Sequence, residues 1–232
     1  FSEIVTGVLY VVATPIGNLG DMTRRAVEVL GLVDVIASED TRVTRRLLTH
    51  FDIENRCVSY HDKNEQYRSE ELVNSLIDGN SVALVSDAGT PCISDPGYRI
   101  VNLAKQSGIE VVSVPGPSAV TAALSISGLP TDHFFFEGFL PKKKGRQTRF
   151  KFLKSLEASV VVYESPMRII KTLNDISTFM GDIRIVSVCR EITKKFEETF
   201  MGTIGDAITY FSQKNPKGEF VIVIAKDGYE LK

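Results

Sequence analysis

The sequence predicts an α/β chain of two domains, the first an N-terminal parallel sheet with flanking helices and the second a C-terminal mixed sheet with helices. Three observations carry that reading. Through residue 130, short uninterrupted apolar runs alternate with longer amphipathic ones, the pattern of strands buried on both faces and joined by crossover helices. After Leu129, Pro130 and Thr131 the connections change, and one pair of strands is separated only by the nonhelical segment REITKKFEE, which favours a hairpin and hence a mixed sheet. Of the 232 residues, 43% are hydrophobic, and a chain of this size buries roughly 70% of its surface on folding, so neither domain needs a staple.

The elements follow in order. Residues 7–14 (GVLYVVAT) read as a buried strand, PIGNLGD as a turn, and residues 23–30 as a helix. Residues 35–38 make the next strand, and TRVTRRLLTHF after it has helical spacing at Val43, Leu47 and Leu48. Strands at 57–60, 82–86 and 111–114 alternate with helices near 66–78, 98–107 and 118–127. The second half holds strands at 134–139, 160–163, 185–189, 199–201 and 220–225, with helices near 146–156, 167–180 and 204–212. The domains are therefore expected to be 1–130 and 131–232.

Charge divides along the same line. The net charge of −2, with 24% charged residues, sets aside a disordered polyelectrolyte and a generally basic nucleic-acid coat. Residues 1–130 carry 10 Lys/Arg and 16 Asp/Glu, whereas residues 131–232 carry 17 and 13. In the second half, residues 142–154 (KKKGRQTRFKFLK) hold Lys142, Lys143, Lys144, Arg146, Arg149, Lys151 and Lys154 with no acid. Such a run can hold phosphates or can be a solvated loop and helix face. Cys57, Cys92 and Cys189 form no CxxC pair, and His50, His61 and His133 form no HxH or HExxH spacing, so neither a disulfide scaffold nor a metal centre is expected. The N-terminal residues lack a basic stretch leading into an apolar one, and the apolar runs are strand-sized. A cytoplasmic protein with no membrane span is the expectation.

Four strand ends in the first domain carry polar or glycine-rich clusters, and parallel sheets bind ligands outside the carboxyl ends of their strands. Residues 13–20 (ATPIGNLG) match neither GxGxxG nor GxxxxGK[ST]; they read as a turn or as a ligand wall made by backbone. Residues 38–42 (SEDTR) set Glu39, Asp40 and Arg42 at a strand end, where they suit a polar substrate or a helix cap with an adjoining ion pair. The sharpest signal is residues 86–97 (SDAGTPCISDPG). Gly89 permits close backbone approach, and Pro91 and Pro96 restrict the loop to few shapes, which favours a pre-organised small-molecule site. Residues 115–123 (PGPSAVTAA) place Ser118 to cap a small-residue helix whose N-terminal amides can face an anion. In the second domain GFLP, YESPMR and REITK each close a strand with a polar cluster.

Taken together, ATPIGNLGD, ASEDTR, SDAGTPCISDPG, VPGPSA, GFLP, YESPMR and REITKKFEE resemble, in order and over residues 7–225, the small-subunit ribosomal RNA methyltransferase I branch of the tetrapyrrole (corrin/porphyrin) methylase superfamily. The resemblance implies a two-domain tetrapyrrole methylase-like fold that binds S-adenosylmethionine between its domains, acts as a homodimer, and methylates the 2′-hydroxyl of a cytidine in 16S ribosomal RNA, within the small ribosomal subunit. It implies cofactor contacts at Pro15, at Asp87, Gly89 and Ile93, and at Ser118 and Ala119, with Leu140, Tyr163 and Glu164 closing the site from the second domain. Two features depart from the pattern: members commonly continue past the equivalent of Lys232 with a small C-terminal region, and Met167 stands where histidine is common, so no histidine base is expected there.

Methylating a hydroxyl requires alignment with the methyl donor and a proton acceptor or a field that stabilises the developing alkoxide. Glu39 and Asp40 are the candidates for orientation or proton acceptance, with Arg42 and Arg190 as electrostatic partners. RNA is expected on Lys142, Lys143, Lys144, Arg146 and Arg149, with Arg168, Lys194 and Lys195 in addition. A tetrapyrrole or protein side-chain methyltransferase shares the same cofactor loops, and a noncatalytic RNA-binding module shares the basic face; both remain open from sequence.

Overall fold

The computed structural model describes residues 7–231. The chain divides into two compact units, Phe1–Ser118 and Ala119–Lys232. The change in sequence rhythm near Pro130 falls one helix later than this division, because α5 (Ala119–Ile126) packs against a strand of the second unit, β10 (Phe220–Ile224).

In the first unit β1 (Val8–Val12), β2 (Val35–Ser38), β3 (Cys57–Ser59), β4 (Val82–Val85) and β5 (Glu110–Val114) form one sheet in the order β3-β2-β4-β1-β5. Every pairing in it is parallel. Each residue of β2 and β4 is buried, as continuous apolar runs require when helices cover both faces. The period of two divides the strands between the faces: Leu9, Ala37 and Leu84 pack with α3 (Glu65–Ile77) and α4 (Tyr98–Gln106), whereas Val12, Ile36 and Val85 pack with α1 (Arg24–Leu32) and α2 (Thr41–His50). Crossovers keep one hand, so the change of direction in strand order puts the connection leaving β1 and the one leaving β4 on opposite faces. A crevice therefore opens at the carboxyl ends of these two neighbours.

The second unit holds β6 (Phe134–Phe139), β7 (Ser159–Glu164), β8 (Ile185–Arg190), β9 (Glu198–Thr203) and β10 in the order β6-β7-β10-β8-β9. Only β6 and β7 are parallel, so the sheet is mixed. The segment REITKKFEE joins β8 to β9 as an antiparallel pair, with Arg190 opposite Glu198. Phe150 of α6 (Arg146–Lys154), Leu173 and Ile176 of α7 (Ile169–Met180) and Phe211 of α8 (Ile204–Ser212) pack on Val160, Val162, Ile222 and Ile224 to form its core. Among the described residues no helix is long and apolar enough to cross a membrane.

Candidate active site

Three loops of the first unit are joined at the carboxyl ends of β1, β4 and β5. Thr14 and Gly89 exchange both backbone hydrogen bonds, Thr14 N–H to Gly89 O at 2.9 Å and Gly89 N–H to Thr14 O at 3.0 Å. Gly89 has φ of 82°, and a Cβ there would lie 3.3 Å from Ile16 Cγ2 and 3.7 Å from Pro117 O. Thr90 Oγ1 donates to the same Pro117 carbonyl at 3.1 Å. A Cβ on Gly116 would lie 3.1 Å from Ala13 Cβ, so the Pro-Gly-Pro turn closes against the first loop. Beside this surface is a cavity of about 260 Å³ lined by Pro15, Ser86 and Asp87 and by Val43, Thr44 and Leu47 of α2. The loop after β4 also holds Cys92 and Ser94 at φ of 72° and 59°, left-handed conformations unusual for residues with a Cβ, and exposes Ile93 between them.

The carboxylates near these ends have separate tasks. Asp40 caps α2: its Oδ1 accepts from Arg42 N–H at 2.9 Å, and its Oδ2 pairs with the Arg42 guanidinium at 2.6 Å. Those hydrogen bonds hold the Asp40 carboxyl down at about 2, which makes it a poor proton acceptor. The Asp40 N–H donates to Asp87 Oδ1 at 2.9 Å, fixing Asp87 beside the cap. Glu39 is half-buried, and burial, followed by the charges of Asp87 and Asp95, raises its carboxyl above the usual range. Asp95 is pushed up to about 6 by burial, with Asp87 and Asp62 adding to the rise and a Ser86 hydrogen bond opposing it. Glu39 is thus the better base of the sequence-selected pair, while Arg42 serves the cap. Among the described residues no group of three or more His, Cys, Asp or Glu side chains is arranged to hold a metal ion. Sequence reasoning passed over Asp62, Asp95 and the α2 face; Asp95 lay within the SDPG turn as a visible signal, whereas Asp62 carried none.

Residues 8–208 match the family model of the tetrapyrrole (corrin/porphyrin) methylases. The chain belongs to this family. Ribosomal RNA small subunit methyltransferase I of Synechocystis sp. is 52% identical over 220 residues, which cover 94% of this chain and 79% of that protein. The protein of the same name from Thermotoga maritima is 46% identical over 219 residues, covering 94% and 98%. Among solved structures, a diphthine synthase superposes with a TM-score of 0.74 at 15% identity, covering 97% of this chain and 92% of that one. A uroporphyrin-III-C-methyltransferase from Thermus thermophilus gives 0.63 at 17%, covering 95% and 92%. At these identities the shared property is the fold.

In this methylase the second unit uses most of its selected arginines internally. Arg146 is a correction to the RNA-binding expectation: its guanidinium is buried, donating to Asp175 at 2.7 Å, Thr172 Oγ1 at 2.8 Å and Pro141 O at 2.9 Å. The helical turn that starts α6 points it inward, away from the lysines before it. Glu164 is likewise buried, accepting from Arg168, Thr172 and the Ser165 N–H, so neither Glu164 nor Arg168 has a free charge to offer a ligand. Arg149 chelates Glu137 and lies 4.6 Å from the centre of the Phe152 ring. Arg190 pairs with Glu198 at 2.9 Å, and Lys194 with Glu191 and Glu219. Leu140 is buried in the core, and Tyr163 packs edge-on to Phe136 and Phe139. Lys142, Lys143, Lys144 and Lys195 are exposed.

Proposed function

We propose that this methylase transfers the methyl group of S-adenosylmethionine to small-subunit ribosomal RNA, at the 2′-hydroxyl of a cytidine. The observation that carries the reading is the joined surface of the loops after β1, β4 and β5, where Gly89 and Gly116 let the loops close on one another, with carboxylates beside it. The near-half identity to ribosomal RNA methyltransferases over nearly the whole chain supports RNA over a tetrapyrrole or a protein side chain. S-adenosylmethionine, when bound, supplies an electrophilic methyl carbon on a positively charged sulfur. Pro15, Asp87, Gly89, Ile93, Ser118 and Ala119 would hold it, and the negative field of Asp62, Asp87 and Asp95 suits its positive charge. Glu39 takes the proton released as the ribose oxygen forms its new bond to carbon; its raised carboxyl accepts that proton more readily than an ordinary one. Exposed lysines at 142–144 neutralise RNA phosphates. Phe134 and Phe139, exposed on edge strand β6, supply apolar surface of the kind a second copy covers in a homodimer. Its ribosomal substrate puts the enzyme in the cytoplasm.

The test supplies methyl-labelled S-adenosylmethionine and small subunits that lack the modification, then maps the label by mass spectrometry. Label on one cytidine ribose is expected; label on protein, or none, overturns the assignment. Glu39→Gln should slow single-turnover transfer by about 100-fold with unchanged cofactor affinity. Transfer at the wild-type rate would remove Glu39 from the chemistry.

A further inference from the structure

The β8–β9 connection and the loop before β10 border an open cavity of about 360 Å³ in the second unit, whose lining includes Arg190, Glu191, Phe196, Glu198, Lys214 and Lys217. Its walls are tied together. Glu191 N–H donates to Glu219 O and Glu219 N–H to the Glu191 carboxylate, both at 2.9 Å, while Arg190 donates to Lys217 O at 3.2 Å. Gly218 has φ of 87°, and a Cβ there would lie 2.4 Å from Glu191 Cδ, so the two loops meet in a contact only glycine allows. Glu191 and Thr193 are also left-handed, at φ of 52° and 70°.

The charges in the walls divide into spent and free. Glu198 accepts from Arg190, Tyr210 and Lys214; burial would raise its carboxyl, but these three hold it down at about 2. Glu191 is occupied by Lys194 and the Glu219 amide. Lys195 and Lys217 are exposed and have no ion-pair partner among the described residues. Phe196 is 64% exposed, with the Lys195 ammonium 5.5 Å from its ring centre. An exposed aromatic ring contributes little to the stability of its own fold, so most of its face is open to a partner. A cavity with an exposed ring and the unpaired Lys217 in its wall, and the unpaired Lys195 against that ring, has the chemistry of a nucleotide seat: a base can stack on the open part of the ring, and its phosphate can meet the lysines. The cavity volume lies within the range of small-ligand sites, about 300–1,000 Å³.

We infer that this cavity binds one unpaired nucleotide of the substrate RNA, its base stacked on Phe196 and its phosphate on Lys195 and Lys217. The inference rests on the RNA reading above and adds to it a requirement for single-stranded RNA, because a base held in a duplex has no free face to offer. Phe196 and Lys217 belong to this positioning site and not to the chemistry.

Fluorescence anisotropy with the full chain, a labelled single-stranded oligocytidylate and a duplex of equal length tests it. Phe196→Ala should weaken single-strand binding by roughly tenfold or more, Phe196→Tyr should restore it, and duplex binding should stay unchanged. Replacing Lys195 and Lys217 together by Ala should reduce the log-log salt slope for the single strand by about 1.4. S-adenosylmethionine affinity and Tm should match wild type throughout, since all three side chains are exposed. Single-strand affinity within twofold of wild type in Phe196→Ala, or an equal loss on duplex, overturns the site. If wild type labels small subunits and Phe196→Ala labels and binds equally well, the nucleotide seat falls while methyl transfer stands. Conversely, binding through Phe196 by a chain that labels no RNA sustains the seat and overturns the transfer assignment.

Discussion

Asp95 shows how one side chain couples the site to stability. Its carboxyl ordinarily titrates near 3.8 and is pushed up to about 6 in the folded chain, first by burial and then by Asp87 and Asp62. Between about pH 4 and pH 6 the folded state therefore holds a proton that the unfolded state has released, and the Asp95 contribution to stability falls as pH rises through that window. Above it the buried charge costs about 1 kcal/mol once solvent screening is allowed for. Asp95→Asn, which keeps an acceptor for Ser86, should raise Tm at pH 8 and leave it unchanged at pH 4 in thermal denaturation followed by circular dichroism. A Tm difference independent of pH would show that Asp95 acts through packing and not through its charge. The Glu39 carboxyl is raised partly by Asp95, so the same variant should also bring the acid limb of the transfer rate to lower pH.

At the scale of elements, the loops behave as a unit because their contacts cross from one strand end to the next. The Thr14–Gly89 bridge and the Thr90–Pro117 hydrogen bond link residues that lie far apart in sequence. Gly89→Val places a branched side chain against Ile16 and Pro117 and forces a left-handed conformation that costs about 1–2 kcal/mol. Calorimetry should show S-adenosylmethionine affinity at least about tenfold weaker, with thermal unfolding still cooperative and Tm modestly lower. Unchanged affinity would place the cofactor away from these loops. The α2 start follows a similar division of labour: the strand end turns Asp40 into a cap and leaves Glu39 among the other carboxylates, a separation that adjacent positions on an extended backbone make natural.

Across the whole molecule, charge divides into an acidic first half and a basic second half, and pairing decides which cations remain free. Replacing Lys142, Lys143 and Lys144 by Glu should weaken RNA binding and make the salt slope shallower by about 2–3, with cofactor affinity unchanged. Identical slopes would reduce this run to a solvated face. Arg146 is left out of that set because its loss would break a buried ion pair and unfold the unit instead of reporting on RNA. The elements and the mixed second sheet were legible in sequence because apolar periodicity and turn residues are local signals, as at β2, α2 and the segment joining β8 to β9. The clusters after β1, β4 and β5 were legible as well, since glycine and proline mark loops wherever they occur. The fate of the charges was not. Arg146, Arg149 and Lys194 read in sequence as free cations, yet each is bound to a carboxylate distant enough in the chain that only packing brings it near; Arg168 pairs with Glu164 four residues before it. Asp62 joins Glu39, Asp87 and Asp95 for the same reason. The sequence by itself determined the order of elements and the family motifs, whereas the tertiary structure alone decided which ionised groups remain available, because burial and pairing are properties of neighbours in space and not of neighbours along the chain.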